Sequence, residues 1–355
     1  MRKTLPCVAL AIALAIWDGY STSPLDASGG GGGGPIVTWL PTLGGSASQG
    51  YELSSNGSVV VGYATNAVSQ YRAFRWPVGG AMQDLGDFGY ANASAYGVSG
   101  DGSIVVGVAW TASVQEHAFR WTAAGGLQDL GTLGGPYSVA ADVSANGLVI
   151  VGESYDVNSN KHAFRWTSLT GMQDLGTFGG FTSGAYGASA DGSVVVGTAE
   201  DPGGQPHAFR WTATTGLHFI GTLGGLTSEA FSVSADGSVI VGRSSNPANE
   251  RRAFRWTAAG GMQDLGTLGG LGSAAYDVSA DGSVVVGDSA NPSGSTRAFK
   301  WTAAGGMTDL SATYSNSLGS GSFLVYANAV SADGLHITGW GYNQRNARYE
   351  GYTTN

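Results

Sequence analysis

Residues 94–135 read SAYGVSGDGSIVVGVAWTASVQEHAFRWTAAGGLQDLGTLGG, and close copies of this stretch recur along nearly all of the chain after it. The Phe of its AFRW segment returns as Phe74, Phe119, Phe164, Phe209, Phe254 and Phe299, always 45 residues apart. A fixed period of that length marks stacked supersecondary units. Asp101-Gly102 lies between two apolar runs and recurs as Asn56-Gly57, Asn146-Gly147, Asp191-Gly192, Asp236-Gly237, Asp281-Gly282 and Asp333-Gly334. Such pairs suit a two-residue type I′ turn, in which both central residues take positive φ. Folding there sets Val98 opposite Val105 and Tyr96 opposite Gly107. A second hairpin joins His117–Trp121 to a strand within Leu127–Leu133 through Ala123-Ala124-Gly125-Gly126. Its expected register pairs Arg120 with Asp129 and Phe119 with Leu130. The same Arg–Asp spacing, repeated at Arg75/Asp84, Arg165/Asp174 and Arg255/Asp264, reads as a cross-strand ion pair. In the fourth copy Phe219 replaces the Asp, which leaves Arg210 without that partner.

Four short antiparallel strands in about 45 residues make the blade of a β-propeller. Helical repeats are excluded by 60 glycines in 355 residues and by Val-rich runs of period two. The expected fold is therefore all-β, a propeller of four-stranded blades. Thr38-Trp39-Leu40-Pro41-Thr42-Leu43-Gly44-Gly45 resembles the end of a repeat with no beginning. Six full sets follow, then a longer connection after Leu310, a hairpin in Ala327–Gly339 and a degenerate strand near Arg348–Tyr352. Seven blades result if the N-terminal strand completes the last one, which hides two sheet edges. Six blades with an irregular C-terminus is the alternative.

Arg2 and Lys3 followed by the apolar run Leu5–Trp17 read as a secretory leader, too short to span a membrane. The expected division is leader 1–27, glycine-rich linker 28–35 and propeller 36–355, with export as the consequence. Leu25-Asp26-Ala27-Ser28 has the outline of a lipoprotein junction, yet Ser28 has no thiol to carry lipid. Cys7, the one cysteine, falls within the leader, so a mature chain has no disulfide. Net charge is −9 and no basic stripe is present, which argues against nucleic acid as a partner.

SADGSVVVG, HAFRW and DLGTLGG, in fixed order and spacing, resemble the HAF-repeat family of bacterial, extracellular repeat proteins, over about Leu43 to Gly339. Only His117, His162 and His207 supply the eponymous His; Arg72, Arg252 and Arg297 stand there in other copies. The resemblance implies export and a repeat scaffold, and assigns no activity to any residue.

No catalytic cluster, metal site or cofactor motif emerges. The Trp of each AFRW copy reads as packing between blades. Asp156-Val157-Asn158-Ser159-Asn160 opens like a calcium loop but lacks its Gly and Glu. What does vary is the loop after the second strand: YATNAVSQYR, VAWTASVQEH, ESYDVNSNKH and TAEDPGGQPH share only their length. With the loops that enter each blade, these lie on one face of the disc. Loops on a rigid scaffold are where binding is usually placed. The candidate ligand face is therefore Tyr63, Tyr90, Trp110, Tyr137, Tyr155, Phe181 and Trp340, recognising an extracellular glycan or protein. An exported, non-enzymatic binding module is the expected function. A propeller hydrolase or lyase acting on an extracellular polysaccharide, or a purely structural envelope protein, are the alternatives.

Overall fold

The structure is a computed structural model, described over residues 35–355. The expected leader, and all of the expected linker but Pro35, lie outside the described residues. Seven antiparallel four-stranded sheets form a seven-bladed β-propeller. Blade 2 is typical: strands Gly89–Val98, Ile104–Thr111, Glu116–Thr122 and Gly126–Asp129 run in order from the inside outward. Inner strands of successive blades touch all round the ring, blade 7 on blade 1 included.

Blade 7 takes Phe323–Val330, Ile337–Asn343 and Arg348–Thr354 from the C-terminus, and Val37–Trp39 from the N-terminus as its outer strand. Val37 pairs with Thr354 and Trp39 with Tyr352, and the Leu40 N–H donates to the Gly351 carbonyl at 2.8 Å. The closing strand is only three residues long, so Gly44 already begins the inner strand of blade 1. The long connection into blade 7 holds two short helices, α1 (Leu310–Thr313) and α2 (Ser315–Leu318), which bury Leu310 and Leu318.

The core sits between blades. Phe119 and Trp121 of blade 2 pack with Val59, Val61 and Ala73 of blade 1, and each interface repeats the pattern. The six Phe of the AFRW copies are fully buried, and Tyr352, also fully buried, takes the same position in blade 7.

Three local expectations are corrected. First, Tyr96 does not face Gly107. Ala95 does, and Tyr96 is the extra residue of a β-bulge. The bulge presses the Ser94 carbonyl to 2.0 Å from where a Cβ on Gly107 would stand, which is why that position is glycine in every copy. Second, only the turn glycines have positive φ, Gly102 at +72°, so the turns are not type I′. Asp101 instead accepts from the Ser99 hydroxyl at 2.7 Å and the Ser103 N–H at 2.9 Å, and Gly102 N–H closes on the Ser99 carbonyl. This Asx geometry is available to an Asp flanked by serines and does not ask it for positive φ.

Third, Asp129 pairs with Phe119, and Arg120 with Gln128. Gly126, at φ +63°, already pairs with Thr122, so the turn holds three residues instead of four. That slip by one sends every side chain of the outer strand to the other face. Asp129 consequently meets His117, at 2.7 Å, and Asp174 meets His162 at 2.7 Å. The framework arginines reach sideways to the next blade: Arg75 Nε donates to the Gly102 carbonyl at 2.8 Å, and Lys300 Nζ to that of Gly334 at 3.0 Å. In blade 4 it is His207, not Arg210, that loses its Asp to Phe219. It bonds Asp201 at 3.1 Å and packs edge-on against the Phe219 ring.

Candidate functional site

The bulges build the channel. A bulge residue has no cross-strand partner and leaves the plane of its sheet, so its side chain is free to point to the axis. At this position stand Tyr51, Tyr96, Ala141, Tyr186, Phe231 and Tyr276 of blades 1–6. Their rings touch from blade to blade: Tyr51 on Tyr96 at 5.2 Å, Tyr186 on Phe231 at 6.1 Å and Phe231 on Tyr276 at 5.8 Å. In blade 7 Asn328 takes the bulge, and Tyr326, paired with Trp340, extends the ring contacts 6.3 Å from Tyr276. Burial pushes the Tyr51, Tyr96 and Tyr276 hydroxyls above their ordinary range, so they stay neutral. The channel is thus lined by aromatic rings, most of them carrying a neutral hydroxyl.

One residue further along the inner strand, toward the Asp-Gly turns, stand three carboxyls: Glu52, Asp142 and Asp277. Burial is the main cause that pushes Asp142 up to about 7 and Asp277 up to about 6, and Glu52 also rises well above the usual range. Glu52 feels both of the others across the channel. Two of them also join blades: Asp142 accepts the Ala188 N–H at 2.9 Å, and Asp277 accepts the Val330 N–H at 2.7 Å and the Ser232 hydroxyl at 2.6 Å.

The loop face carries the candidate residues named from sequence. Tyr90 stacks on Trp110, centroids 5.7 Å apart and planes 14° apart, and Tyr90 remains 41% exposed. Tyr137 meets Tyr155 edge-on at 5.7 Å. Phe181 stands exposed on blade 4, and Leu226 and Leu271 occupy the same exposed position on blades 5 and 6. Tyr63 and Trp340 belong elsewhere. Tyr63 lies deeper, 5.9 Å from Tyr51 of the channel lining and 5.2 Å from Tyr71. Trp340 lies within the second strand of blade 7 and not in the loop after it, as Trp110 and Tyr155 lie within the second strands of blades 2 and 3. It is stacked between Tyr326 at 5.8 Å and Tyr349 at 4.4 Å, so both its faces are covered.

The loops after the second strands share a closure despite their sequences. Asp156 accepts the Asn158 and Asn160 N–H groups at 2.8 Å each, and Asn66, Asp201, Asn246 and Asn291 do the same in their own loops. The calcium-like run is therefore turn chemistry.

Sequence reading passed over the channel lining and the carboxyl triad. The signal for the lining was available: an aromatic five residues before the turn Asp or Asn in blades 1, 2, 4, 5 and 6. A period-two reading assigns that residue to a paired strand position, and only the bulge turns it to the axis.

No family model and no curated protein matches this chain. Among solved structures it is similar to the β-propeller domain of the Trilobed protease from Pyrococcus furiosus, at 11% identity and TM-score 0.60, over 88% of this chain and 95% of that one. That domain is described as having an open velcro topology, whereas here the N-terminal strand closes blade 7. It is also similar to TolB from Acinetobacter baumannii, at 14% identity and TM-score 0.51, over 72% of this chain; it spans 63% of the length of that TolB. At these identities the likeness concerns the fold alone.

Proposed function

We propose that this chain is an exported, non-catalytic binding module of the HAF-repeat kind, with its loop face as the recognition surface. The observation that carries the reading is the Tyr90–Trp110 stack. Blade packing uses the AFRW aromatics and has no need of this pair, yet it is held flat and partly open to solvent. Preorganised aromatics bury large area on binding at little entropic cost. Export rests on the leader-like N-terminus and the resemblance. The test is a glycan and protein binding screen of the chain from residue 28, with Trp110→Ala and Tyr90→Ala beside the parent. A ligand held on this face loses at least tenfold in affinity while the melting temperature moves by less than about 2 °C, the scale of roughly 1 kcal/mol in a domain of this size. A melting temperature that falls first assigns the pair to packing.

The channel carboxyls favour one second reading. Carboxyls held protonated near neutral pH are what a hydrolase or lyase needs for acid catalysis. Asp142 and Asp277 already spend their oxygens on inter-blade N–H groups, which supports the structural role. Turnover in a hydrolase and lyase panel, abolished by Asp142→Asn, would replace the binding reading with the catalytic one.

A further inference from the structure

The loop face is divided by charge. On blades 1–4 its basic residues are Arg72 and Lys161, set among many carboxylates. On blades 5–7 it presents Arg243, Arg251, Arg252, Arg297, Arg345 and Arg348, of which Arg243, Arg251, Arg252 and Arg348 are paired with Glu229, Asp288, Glu250 and Glu350. Arg251 and Arg297 of blades 5 and 6 adjoin a continuous run of aromatic rings. Tyr276 touches Tyr326 at 6.3 Å, Tyr326 stacks on Trp340, Trp340 on Tyr349, and Tyr349 meets Tyr342 at 5.2 Å and Phe323 at 6.4 Å. Tyr349 is 43% exposed, so the run ends in an open ring.

Two arginines are fixed at its edges. Arg251 donates to Asp288 at 2.9 Å; Asp288 is almost fully buried and is also held by the Tyr276 hydroxyl at 2.6 Å. A buried anchor fixes one edge of the Arg251 guanidinium, while 43% of its side chain remains in solvent. Arg297 lies over the Phe323 ring at 4.5 Å, with one nitrogen on the Thr296 carbonyl at 2.9 Å. Tyr326 is within electrostatic reach of Asp288, Arg251 and Tyr349, which places both ends of the run in one neighbourhood.

Resting on the binding-module reading above, and adding to it a second site with its ligand class, we infer that the face of blades 5–7 binds an acidic polysaccharide, with sugar rings against Tyr349 and the carboxylate or sulfate groups on Arg251 and Arg297. Flat aromatic faces suit the C–H face of a pyranose. A planar guanidinium matches a carboxylate or sulfate with two parallel bonds. The chain as a whole carries −9, which repels a polyanion at long range. At physiological salt, charges further than about 8 Å are largely screened, so the local arginines decide.

The experiment is calorimetric titration of the chain from residue 28 with polygalacturonate, a sulfated dextran and neutral dextran, at low and physiological salt. Either anionic polymer is expected to bind and neutral dextran not to. The expected loss is at least tenfold for Arg251→Gln and for Arg297→Gln, smaller for Arg251→Lys, with unchanged melting temperatures. Tyr349→Ala should weaken binding at every salt concentration, because stacking is not screened. Val157→Ala, in an exposed loop of blade 3, should leave this binding as it is. Equal binding of neutral and acidic dextrans, or full affinity in both Arg→Gln variants, overturns the inference. A ligand lost on Trp110→Ala alone keeps the binding module and moves its site to blade 2. A chain that binds none of these polymers, nor any ligand of the wider screen, fails on both counts.

Discussion

The two faces of the disc obey different rules. On the turn face, the seven turns are near copies and are tied to one another. Ser55 N–H donates to the Gly100 carbonyl at 3.0 Å, Gly100 N–H to Ala145 at 2.9 Å, Asn146 N–H to Ala190 at 3.1 Å, and so on through Ala280 to Ala332 at 3.0 Å. Ala332 returns to Ser55 at 2.9 Å, which closes a circle of seven main-chain bonds. Side chains reinforce it. Val149 of blade 3 packs onto Gly192 of blade 4, and Arg255 of blade 5 reaches the Gly282 carbonyl of blade 6 at 3.2 Å. On the loop face, each loop after a second strand closes mainly on itself, through one Asp, Asn or Thr, and the residues between are unconstrained. A position used by two blades at once must repeat. A position that answers only to its own loop is able to diverge, and the exposed aromatics and arginines are found there.

The largest expected effect tests whether the circle needs its closing strand. Deleting residues 36–40 removes buried Val37 and Leu40, the Trp39 contact with Tyr352, and the pairing with Arg348–Thr354. At roughly 1.5–3 kcal/mol per large buried side chain, the loss is on the order of 5 kcal/mol. Thermal unfolding should shift by about 10 °C, with aggregation through the exposed edge. Deletion of residues 28–34 is the control and should leave the melting temperature in place. Equal behaviour of the two truncations would refute the closure.

A second test separates the turns from the channel between the faces by pH. Hydrogen bonds from flanking serines hold Asp101, Asp236 and Asp281 down at about 2. Their contribution is present above the ordinary carboxyl range and is lost as pH falls toward 2. Asp142 and Asp277 are raised, so their contribution has the opposite sign: it is full below about pH 4, where the unfolded carboxyls are protonated too, and is lost progressively from there as pH rises through about 6 to 7. Stability in chemical denaturation should therefore peak near about pH 4. Asp142→Asn should flatten the alkaline limb by an amount on the order of 3 kcal/mol between pH 5 and 8. An unchanged limb in that variant would show that Asp142 is ionised throughout.

The smallest effect is a matched pair of glycines. Gly192 in a turn (φ +71°) and Gly204 in a loop (φ +75°) share the left-handed backbone. A Cβ at Gly192 would stand 2.3 Å from Val149 Cγ2, whereas nothing lies within 4 Å of one at Gly204. Alanine at Gly204 should cost about 1 kcal/mol, the backbone penalty alone, and at Gly192 about 2–3 kcal/mol once overpacking is added. Equal denaturation midpoints would mean that the turn face is no tighter than the loop face.

Much of this was open to reading from residues. Repetition of Phe119 and Trp121 at a fixed period, with Asp101-Gly102 between apolar runs, announces blades, and the spare segment around Trp39 announces closure. The pairing partners of Tyr96 and Asp129 were not open, because a bulge and a one-residue shorter turn move the register without altering the hydrophobic pattern. The candidate face was legible as variation after the second strands. Its partition was not, since Trp110 and Trp340 look alike as Trp residues outside the repeat, and only Trp340 is stacked by two rings, Tyr326 and Tyr349.

By itself the sequence determined what is local and repeated, strand, turn and blade, because each copy carries the same short-range code. The tertiary structure alone decided what converges from different copies. Glu52, Asp142 and Asp277 come from blades 1, 3 and 6, and Arg251, Asp288 and Tyr349 from blades 5, 6 and 7. No spacing along the chain marks either set. The carboxyls meet because closing the ring brings equivalent positions of the blades to one axis, and the second set meets because closure sets neighbouring blades edge to edge, where single departures from the repeat become neighbours.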